Sequence, residues 1–197
     1  MREVELKGVA NAPDRVVAAL VAAGAEPAYA GRLLDRRYDT AGRTLALRDV
    51  VLRVRRYVND GGERVCLECK GPTEQDALYK VREECGTDVA DGAALERVLA
   101  LLGYEVTREI DRDIAQFMIH GATVRVERYP RMDALVEVEG EPETIEQAIA
   151  ATGLDRGTFT TGRLLDFVRA FEARTGHRAA VSQRELGGDY RYSTNDA

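Results

Sequence analysis

The sequence predicts an α+β fold whose sheet is built from antiparallel strands. Strand-like segments occur mainly in adjacent runs without a helix between them, and consecutive strands of this kind pair antiparallel. Most of the segments alternate charged with apolar residues, which is the period of a strand with two unlike faces. They cover residues 2–8, 32–39, 44–49, 51–57, 64–70, 78–89, 106–118, 123–128 and 134–139.

Four amphipathic helices complete the predicted fold. They cover residues 13–24, 91–102, 142–153 and 163–174, with apolar residues three and four positions apart. Pro13 and Pro142 suit the first position of a helix, where an amide hydrogen would have no partner. Gly24, Gly103 and Gly153 end the first three helices. The helices therefore separate or follow groups of strands and do not alternate with single strands.

The length and order of these elements predict a single domain. A chain of 197 residues is long enough for one full hydrophobic core. No internal repeat, low-complexity tract or linker interrupts the elements up to the last predicted helix. We therefore expect one domain over residues 1–175. Residues 176–197 lack a sustained pattern, and we expect a loose C-terminal tail there.

Charge and hydropathy exclude several classes of partner. The formal net charge is -6 and the pI is about 5.2, whereas binding to a nucleic-acid duplex usually needs a cationic face. The most apolar stretch, residues 16–25, is about half the length of a membrane span. No apolar leader follows Met1. We expect a cytoplasmic protein without membrane segments, and the sequence carries no signal for an oligomeric state.

One face of the predicted strands carries a dense set of charges. A solvated sheet face would explain mixed charges, but the central positions of this face are mostly Glu or Arg, with few neutral polar residues. Carboxylates beside guanidinium groups suit a hard cation together with phosphate oxygens. The charged positions are Glu3, Glu5, Lys7, Arg53, Arg55, Glu68, Lys70, Lys80, Arg82, Glu84, Arg125, Glu127, Glu137 and Glu139.

The order of these charged segments resembles one known superfamily. The opening segment 3–7, Glu-Val-Glu-Leu-Lys, is similar to the E-x-E-x-K start of the CYTH, or triphosphate tunnel metalloenzyme, superfamily, which includes class IV adenylyl cyclases, thiamine triphosphatases and inorganic triphosphatases. Further similar segments follow in the same order over residues 1–170: Tyr38-Asp39-Thr40, Leu52-Arg53-Val54-Arg55, Lys70-Gly71-Pro72, Arg82-Glu83-Glu84, Leu102-Gly103-Tyr104 and Val136-Glu137-Val138-Glu139-Gly140. The resemblance implies a closed eight-stranded antiparallel β-barrel, a tunnel with charged side chains inside and helices packed outside.

The resemblance also implies roles for individual residues. Six carboxylates match metal ligands, for Mg²⁺ or Mn²⁺: Glu3, Glu5, Glu84, Glu127, Glu137 and Glu139. Seven basic residues match positions that bind phosphates: Lys7, Arg53, Arg55, Lys70, Arg82, Arg112 and Arg125. Lys7 and Glu127 are the catalytic candidates, Lys7 to orient the phosphates and Glu127 to position water or accept its proton.

Four positions depart from the pattern of the superfamily. Glu127 stands where Asp is common, Glu68 where Thr is common, and Ile110 where a second basic residue is expected two places before Arg112. Thr161-Gly162 replaces a Ser-Tyr pair before the last helix. The change at Ile110 is expected to alter which substrate fits or to weaken turnover.

These features predict a divalent-metal-dependent hydrolase of a small-molecule triphosphate, either inorganic tripolyphosphate or an organic or nucleoside triphosphate. The alternative is a class IV adenylyl cyclase, which forms cyclic AMP and pyrophosphate from ATP, since the same charged interior could serve both reactions. A third alternative is a non-catalytic binder of polyphosphate or nucleotides. Surplus carboxylates argue against this third alternative, because they repel a polyanion unless a cation lies between.

Overall fold

The sheet of the protein closes on itself. In the computed structural model, which describes residues 2–74 and 78–189, eight antiparallel strands form a barrel in the order β1-β5-β4-β3-β2-β6-β7-β8. The strands are β1 (Arg2–Ala10), β2 (Glu26–Thr40), β3 (Val51–Asn59), β4 (Gly62–Glu74), β5 (Lys80–Val89), β6 (Tyr104–Ile119), β7 (Ala122–Arg128) and β8 (Ala134–Glu139). The predicted α+β class and the closed eight-stranded antiparallel barrel are both confirmed.

Strand β1 closes the barrel by pairing with two strands that are distant in sequence. Its first half pairs with β5, where Glu3 faces Arg82 across the ladder. Its second half pairs with β8, where Lys7 faces Glu137. Because successive side chains of a strand point to opposite faces, closure turns the charged faces inward and the mostly apolar faces outward. The alternation of charged and apolar residues in the sequence therefore corresponds to the inner and outer faces of the tunnel wall.

Helices cover the apolar outer face of the barrel. α1 (Pro13–Ala22) packs on β6 and β7, α3 (Pro142–Thr152) packs on β1, β7 and β8, and α2 (Gly92–Leu101) packs on β6. The contact of α1 and α3 with the sheet buries Leu6, Leu20, Val138 and Ile145 almost completely. Each such side chain contributes roughly 1.5–3 kcal/mol through burial. The main hydrophobic core thus lies outside the barrel, between sheet and helices. The interior is mostly polar, with a small apolar cluster that contains Leu33, Tyr57 and Ile114.

The strand predicted at 44–49 is wrong. This segment forms a turn and a short 3-10 helix, Ala46–Arg48. The carboxylate of Asp39 accepts hydrogen bonds from the backbone amides of Leu45, at 3.0 Å, and Ala46, at 2.9 Å. Asp49 ends the turn in the left-handed region, at φ 53°. In a strand, the amides of Leu45 and Ala46 would donate to a neighbouring strand. Here the Asp39 side chain accepts these hydrogen bonds instead, so the apolar and polar alternation of the segment did not indicate its structure.

The C-terminal segment differs from the loose tail that was expected after residue 175. After α4 (Leu164–Thr175) the chain runs back along the barrel and forms α5 (Gln183–Gly187). Ala180 and Val181 are almost fully buried, and the amide of Asp111 donates to the carbonyl of Val181 at 2.8 Å. The buried run contains only four residues, 179–182, which are too few to show periodicity, so sequence pattern alone missed this packing. Residues 190–197 of the predicted tail lie outside the described residues, and the domain boundary at 175 stays a prediction.

The helices of the described ranges are all short. None of those in residues 2–74 and 78–189 is long and apolar enough to cross a membrane.

Truncation tests the structural role of the C-terminal segment. Ending the chain after Gly176 removes the buried Ala179–Val181 segment and its backbone bonds, which we expect to lower the melting temperature by roughly 5–10 °C in thermal unfolding followed by circular dichroism. A chain that ends after Asp189 keeps these contacts and serves as the control. Equal melting temperatures for the two truncations would show that the segment does not stabilise the barrel.

Candidate active site

The interior of the barrel contains two chambers of opposite charge. The basic chamber has a volume of about 80 Å³ and is lined by ten basic and five acidic side chains, a formal charge of +5. The acidic chamber is lined by four acidic and two basic side chains, a formal charge of -2. Arg55 lines both chambers. The tunnel is therefore polarised along its length.

The charged residues of the two chambers come from all eight strands, from Asp49 in the turn before β3 and from Arg163 at the start of α4. The basic chamber is lined by Lys7, Arg37, Arg53, Arg55, Lys70, Lys80, Arg82, Arg108, Arg112, Arg163, Glu5, Asp35, Asp49, Glu127 and Glu137. The acidic chamber is lined by Glu3, Glu68, Glu84, Glu139, Arg55 and Arg125, together with Tyr57.

All of the predicted site residues line one of these chambers, but the predicted metal ligands are divided between them. Glu3, Glu84 and Glu139 line the acidic chamber, and Glu5, Glu127 and Glu137 line the basic chamber. Of the predicted phosphate-binding residues, Arg125 lines only the acidic chamber and Arg55 lines both. The other five line only the basic chamber, namely Lys7, Arg53, Lys70, Arg82 and Arg112. The division suggests that cation and phosphate chemistry concentrate at different levels of the tunnel.

Asp35 holds three arginines together in the basic chamber. Its Oδ2 lies 3.3 Å from Nε of Arg55, 3.7 Å from Nη1 of Arg53 and 3.5 Å from Nη1 of Arg112. Only 1% of Asp35 is exposed. Burial opposes ionisation, but the three arginines outweigh it and hold the pKa of Asp35 well below its usual range. One fixed anion therefore anchors three phosphate-binding candidates.

Lys7 bridges two of the predicted carboxylates. Its Nζ lies 2.8 Å from Glu5 and 2.6 Å from Glu137. Burial disfavours the charged lysine, but Glu137 and Glu5 outweigh this effect and raise the pKa of Lys7 above its usual value. Lys7 is therefore a fixed positive charge and does not act as a base near neutral pH.

Two further lysines neutralise carboxylates of the same wall. Lys70 forms short ion pairs with Glu3 and, at 3.1 Å, with Glu84. Lys80 pairs with Glu5. Burial, followed by the neighbouring Lys7, lowers the pKa of Lys80 to about 8. The ammonium groups of Lys70 and Lys80 therefore lie beside these carboxylates, at positions where a metal cation could bind in their place.

Glu139 lacks such a partner. In the described part of the chain no hydrogen bond or ion pair joins its carboxylate, although Arg125 and Lys70 lie near enough to favour its ionised form. Burial, then Glu137 and Glu3, raise the pKa of Glu139 to about 7. Burial and Glu5 likewise raise the pKa of Glu3. Positive charge is therefore in deficit around Glu3 and Glu139.

The donor chemistry of this region fits magnesium or manganese, but the arrangement is not a formed metal centre. Within residues 2–74 and 78–189, no three acidic, histidine or cysteine side chains stand close enough to hold a metal ion. Lysines bind Glu3, Glu5 and Glu137 instead. Carboxylate oxygens are nevertheless the ligands that these hard cations prefer, and the raised pKa values mark a site where added positive charge is favourable.

Glu127 of β7 is held rigidly by two hydrogen-bond donors. Nε of Arg112 donates to it at 2.8 Å, and the hydroxyl of Tyr129 donates a short bond to its second oxygen. Burial and the charge of Glu127 raise the pKa of Tyr129 well above its usual value, so the tyrosine remains a donor. Both oxygens of Glu127 are therefore fixed in position.

Sequence reasoning missed several residues of the basic chamber. Asp35 and Arg37 share the inward parity of β2, but Leu33 on the same face obscures the charged pattern. Arg163 lies at the start of α4, where no strand pattern could reveal it, and its guanidinium lies 3.0 Å from Asp49. Ile110 faces the chamber as well and packs against residues of α4.

Several solved structures resemble this protein over most of their length at low sequence identity. No protein-family profile matches the chain, and no curated protein matches it. The PH1819 protein from Pyrococcus horikoshii OT3 is 23% identical with a TM-score of 0.71, over 85% of this chain and 98% of that chain. A candidate adenylate cyclase from Vibrio parahaemolyticus is 20% identical with a TM-score of 0.71, over 85% and 97%. HpAC1 from Hippeastrum, a candidate adenylyl cyclase with a dominant triphosphatase activity, is 13% identical with a TM-score of 0.60, over 86% and 95%.

The chain shares the fold of these solved structures. Its closed barrel with a charged interior agrees with the architecture implied by the resemblance. At these identities the structural likeness establishes the fold only, and the chemistry has to be argued from the residues of this tunnel.

Replacing Asp35 by Asn tests its role as the anchor of the chamber. We expect the free energy of unfolding to fall by about 3–5 kcal/mol in urea titrations at neutral pH, because three buried arginines lose the counter-ion that they share. Arg53 and Arg55 keep only Glu68 in common, and Arg112 keeps Glu127. Asp133→Asn breaks a surface pair with Arg174 and should cost less than about 1 kcal/mol. If Asp35→Asn lowers the free energy of unfolding no more than Asp133→Asn does, Asp35 does not anchor the arginines.

Glu139 should make stability depend on pH in metal-free buffer. Its pKa in the fold, about 7, exceeds the ordinary value of 4.5, so the folded state favours the protonated acid. The free energy of unfolding should therefore fall as pH rises from 4.5 to about 7, by no more than about 3 kcal/mol. In urea titrations across this pH range, the free energy of unfolding of Glu139→Gln should fall less than that of wild type. The exposed Glu143→Gln should show the same fall as wild type. If the free energy of unfolding depended on pH in the same way for wild type and Glu139→Gln, the raised pKa would not belong to Glu139.

Proposed function

We propose that this protein is a divalent-metal-dependent hydrolase of linear triphosphates, which bind inside the tunnel. The observation that supports this function best is the polarised interior, with a basic chamber of formal charge +5 next to a carboxylate-rich chamber of formal charge -2. A polyanion with a cation at one end matches that distribution, whereas a neutral ligand would leave both charges uncompensated.

The basic chamber supplies the phosphate-binding groups. Arg53, Arg55 and Arg112 are oriented by Asp35, and Nη1 of Arg112 has no hydrogen-bond partner in the described part of the chain. Guanidinium groups bind phosphate oxygens through parallel N–H bonds. Because Asp35 already fixes the arginines, little conformational entropy is lost when they bind substrate, and the chamber is preorganised for charge that develops during transfer.

The carboxylates of the other level are the proposed metal ligands. Glu3 and Glu139, with the neighbouring Glu137, would hold the cation, and Lys70 would then be free to turn from Glu3 to the phosphates. When bound, the cation neutralises phosphate oxygens and lowers the pKa of a bound water. Lys7 stays charged between Glu5 and Glu137 and orients the phosphate chain.

Glu127 is the proposed general base. Its two oxygens are fixed by Arg112 and Tyr129, so it faces the chamber with a defined geometry and could position a water molecule or accept its proton. Among proteins with the CYTH fold, HpAC1 has a dominant triphosphatase activity, which supports hydrolysis in preference to cyclisation.

A substrate panel tests the proposed reaction. Tripolyphosphate, thiamine triphosphate and ATP are incubated with Mg²⁺, with Mn²⁺ and with chelator, and the products are identified. We expect metal-dependent release of inorganic phosphate. Cyclic AMP and pyrophosphate from ATP would instead support the cyclase alternative. Binding without turnover of any triphosphate would indicate a non-catalytic module.

Glu3→Gln tests the proposed metal site. Because this change removes one carboxylate charge and keeps the shape, we expect metal-dependent kcat/KM to fall about 100-fold, with the far-UV spectrum retained. Glu83→Gln is the matched control, since Glu83 lies on the same wall but is exposed outside the barrel. Equal metal-dependent activity of wild type and Glu3→Gln would contradict the assignment of Glu3 as a metal ligand.

A further inference from the structure

Two cysteines lie directly opposite each other on neighbouring strands. Cys69 of β4 and Cys85 of β5 are register partners in an antiparallel ladder, and both are free thiols. Directly opposite residues of such a ladder have Cα atoms about 4.5–5.5 Å apart, which lies within the range of separations that a disulfide bond spans. A disulfide between these two cysteines therefore requires little movement of the backbone.

The pair is separate from the third cysteine of the chain. Cys69 and Cys85 share the outer face of the barrel, because the next residue along each strand lines a chamber of the tunnel. Cys85 is exposed and Cys69 is half-buried. Cys66 lies three residues before Cys69 and so points to the opposite face, where it is buried and donates to Asp88 at 3.0 Å. Only Cys69 and Cys85 are therefore placed to join.

Exposure sets the order in which the two thiols react with a small-molecule disulfide. The Cys85 thiolate attacks one sulfur of the reagent, the S–S bond of the reagent breaks, and one reagent thiolate leaves and takes up a proton. Cys69 then loses its proton to water and attacks the Cys85 sulfur, and the second reagent thiol leaves. The two cysteines lose two electrons, which the reagent gains as it becomes two thiols. Burial and then Cys85 raise the pKa of Cys69, which agrees with its place as the second thiol to react.

The pair lies beside charged residues of the acidic chamber. Glu84, Cys85 and Gly86 form part of the wall of this chamber. The next register pair along the two strands is Lys70 and Glu84, whose charged groups are 3.1 Å apart. Opposite Cβ atoms of a ladder are about 4.5–5.5 Å apart, whereas a disulfide holds them at about 3.5–4.5 Å. Formation of the bond therefore draws β4 and β5 together beside this ion pair.

We propose that a small-molecule disulfide oxidises Cys69 and Cys85 to a reversible disulfide, and that this bond lowers the affinity of the acidic chamber for a divalent cation. Closer strands tighten the ion pair of Lys70 with Glu84, so that the lysine competes more strongly with a metal for the carboxylates. The effect on the cation rests on the proposed function, whereas the disulfide itself does not. In reducing surroundings a bond of this kind is transient, which is typical of redox-sensing cysteines.

Oxidation with glutathione disulfide, followed by alkylation and peptide mass spectrometry, tests the bond. In wild type we expect a peptide pair joined through residues 69 and 85, with a mass loss of two hydrogen atoms that dithiothreitol reverses. Cys69→Ser should stop at the mixed disulfide of glutathione with Cys85, because no second thiol is in reach. Cys66→Ser should form the same bond as wild type. Unmodified thiols, a mixed disulfide as the final product in wild type, or a bond through Cys66 would overturn the proposal.

Calorimetric titration with Mn²⁺ tests the effect of the bond on the chamber. After removal of glutathione, oxidised wild type should bind Mn²⁺ at least about threefold more weakly than reduced wild type, and reduction should restore the affinity. Unchanged or tighter binding by the oxidised protein would overturn the proposed coupling. Failure of the reduced protein to bind Mn²⁺ would contradict the proposed metal site, and with it the proposed function, while the peptide map decides the disulfide independently.

Discussion

The interior of this protein depends on the ion pairs that Asp35 makes with three arginines. A closed barrel removes its inward side chains from bulk water, and a guanidinium buried without a partner would be costly. Asp35 compensates part of this cost for Arg53, Arg55 and Arg112 at once. It fixes their positions with a single oxygen and leaves other N–H groups available. The same interaction therefore stabilises the fold and preorganises the chamber for an anion.

The rest of the architecture follows from placing charges inside and apolar residues outside. The hydrophobic core forms between the outer face of the sheet and α1 and α3, so the barrel does not rely on its own interior for stability. The interior can then carry an uneven distribution of charge. Lys7 and Lys70 balance carboxylates on one wall, whereas the carboxylate of Glu139 has no ion-pair partner in the described part of the chain. An added cation can neutralise such a group.

The alternation of the strands predicted most of this arrangement, because a period of two defines a face whatever the sheet closes into. Closure itself depends on β1 pairing with both β5 and β8, a long-range event that no local pattern contains. The segment 44–49 was misread since the side chain of Asp39 replaces strand pairing there. Asp35 escaped notice because Leu33 shares its face, and Arg163 because it reaches the chamber from a helix. The packing of Val181 depends on contacts made only after folding.

The central claim is that phosphates occupy the basic chamber and the cation lies at the level of Glu3 and Glu139. A crystal structure of the complex with tripolyphosphate and Mn²⁺, in which the anomalous scattering of manganese locates the ion, tests it most directly. The account predicts phosphate oxygens on Arg53, Arg55 and Arg112 and a manganese peak beside the Glu3 and Glu139 carboxylates. Phosphate bound outside the barrel, or manganese bound away from both glutamates, would contradict it.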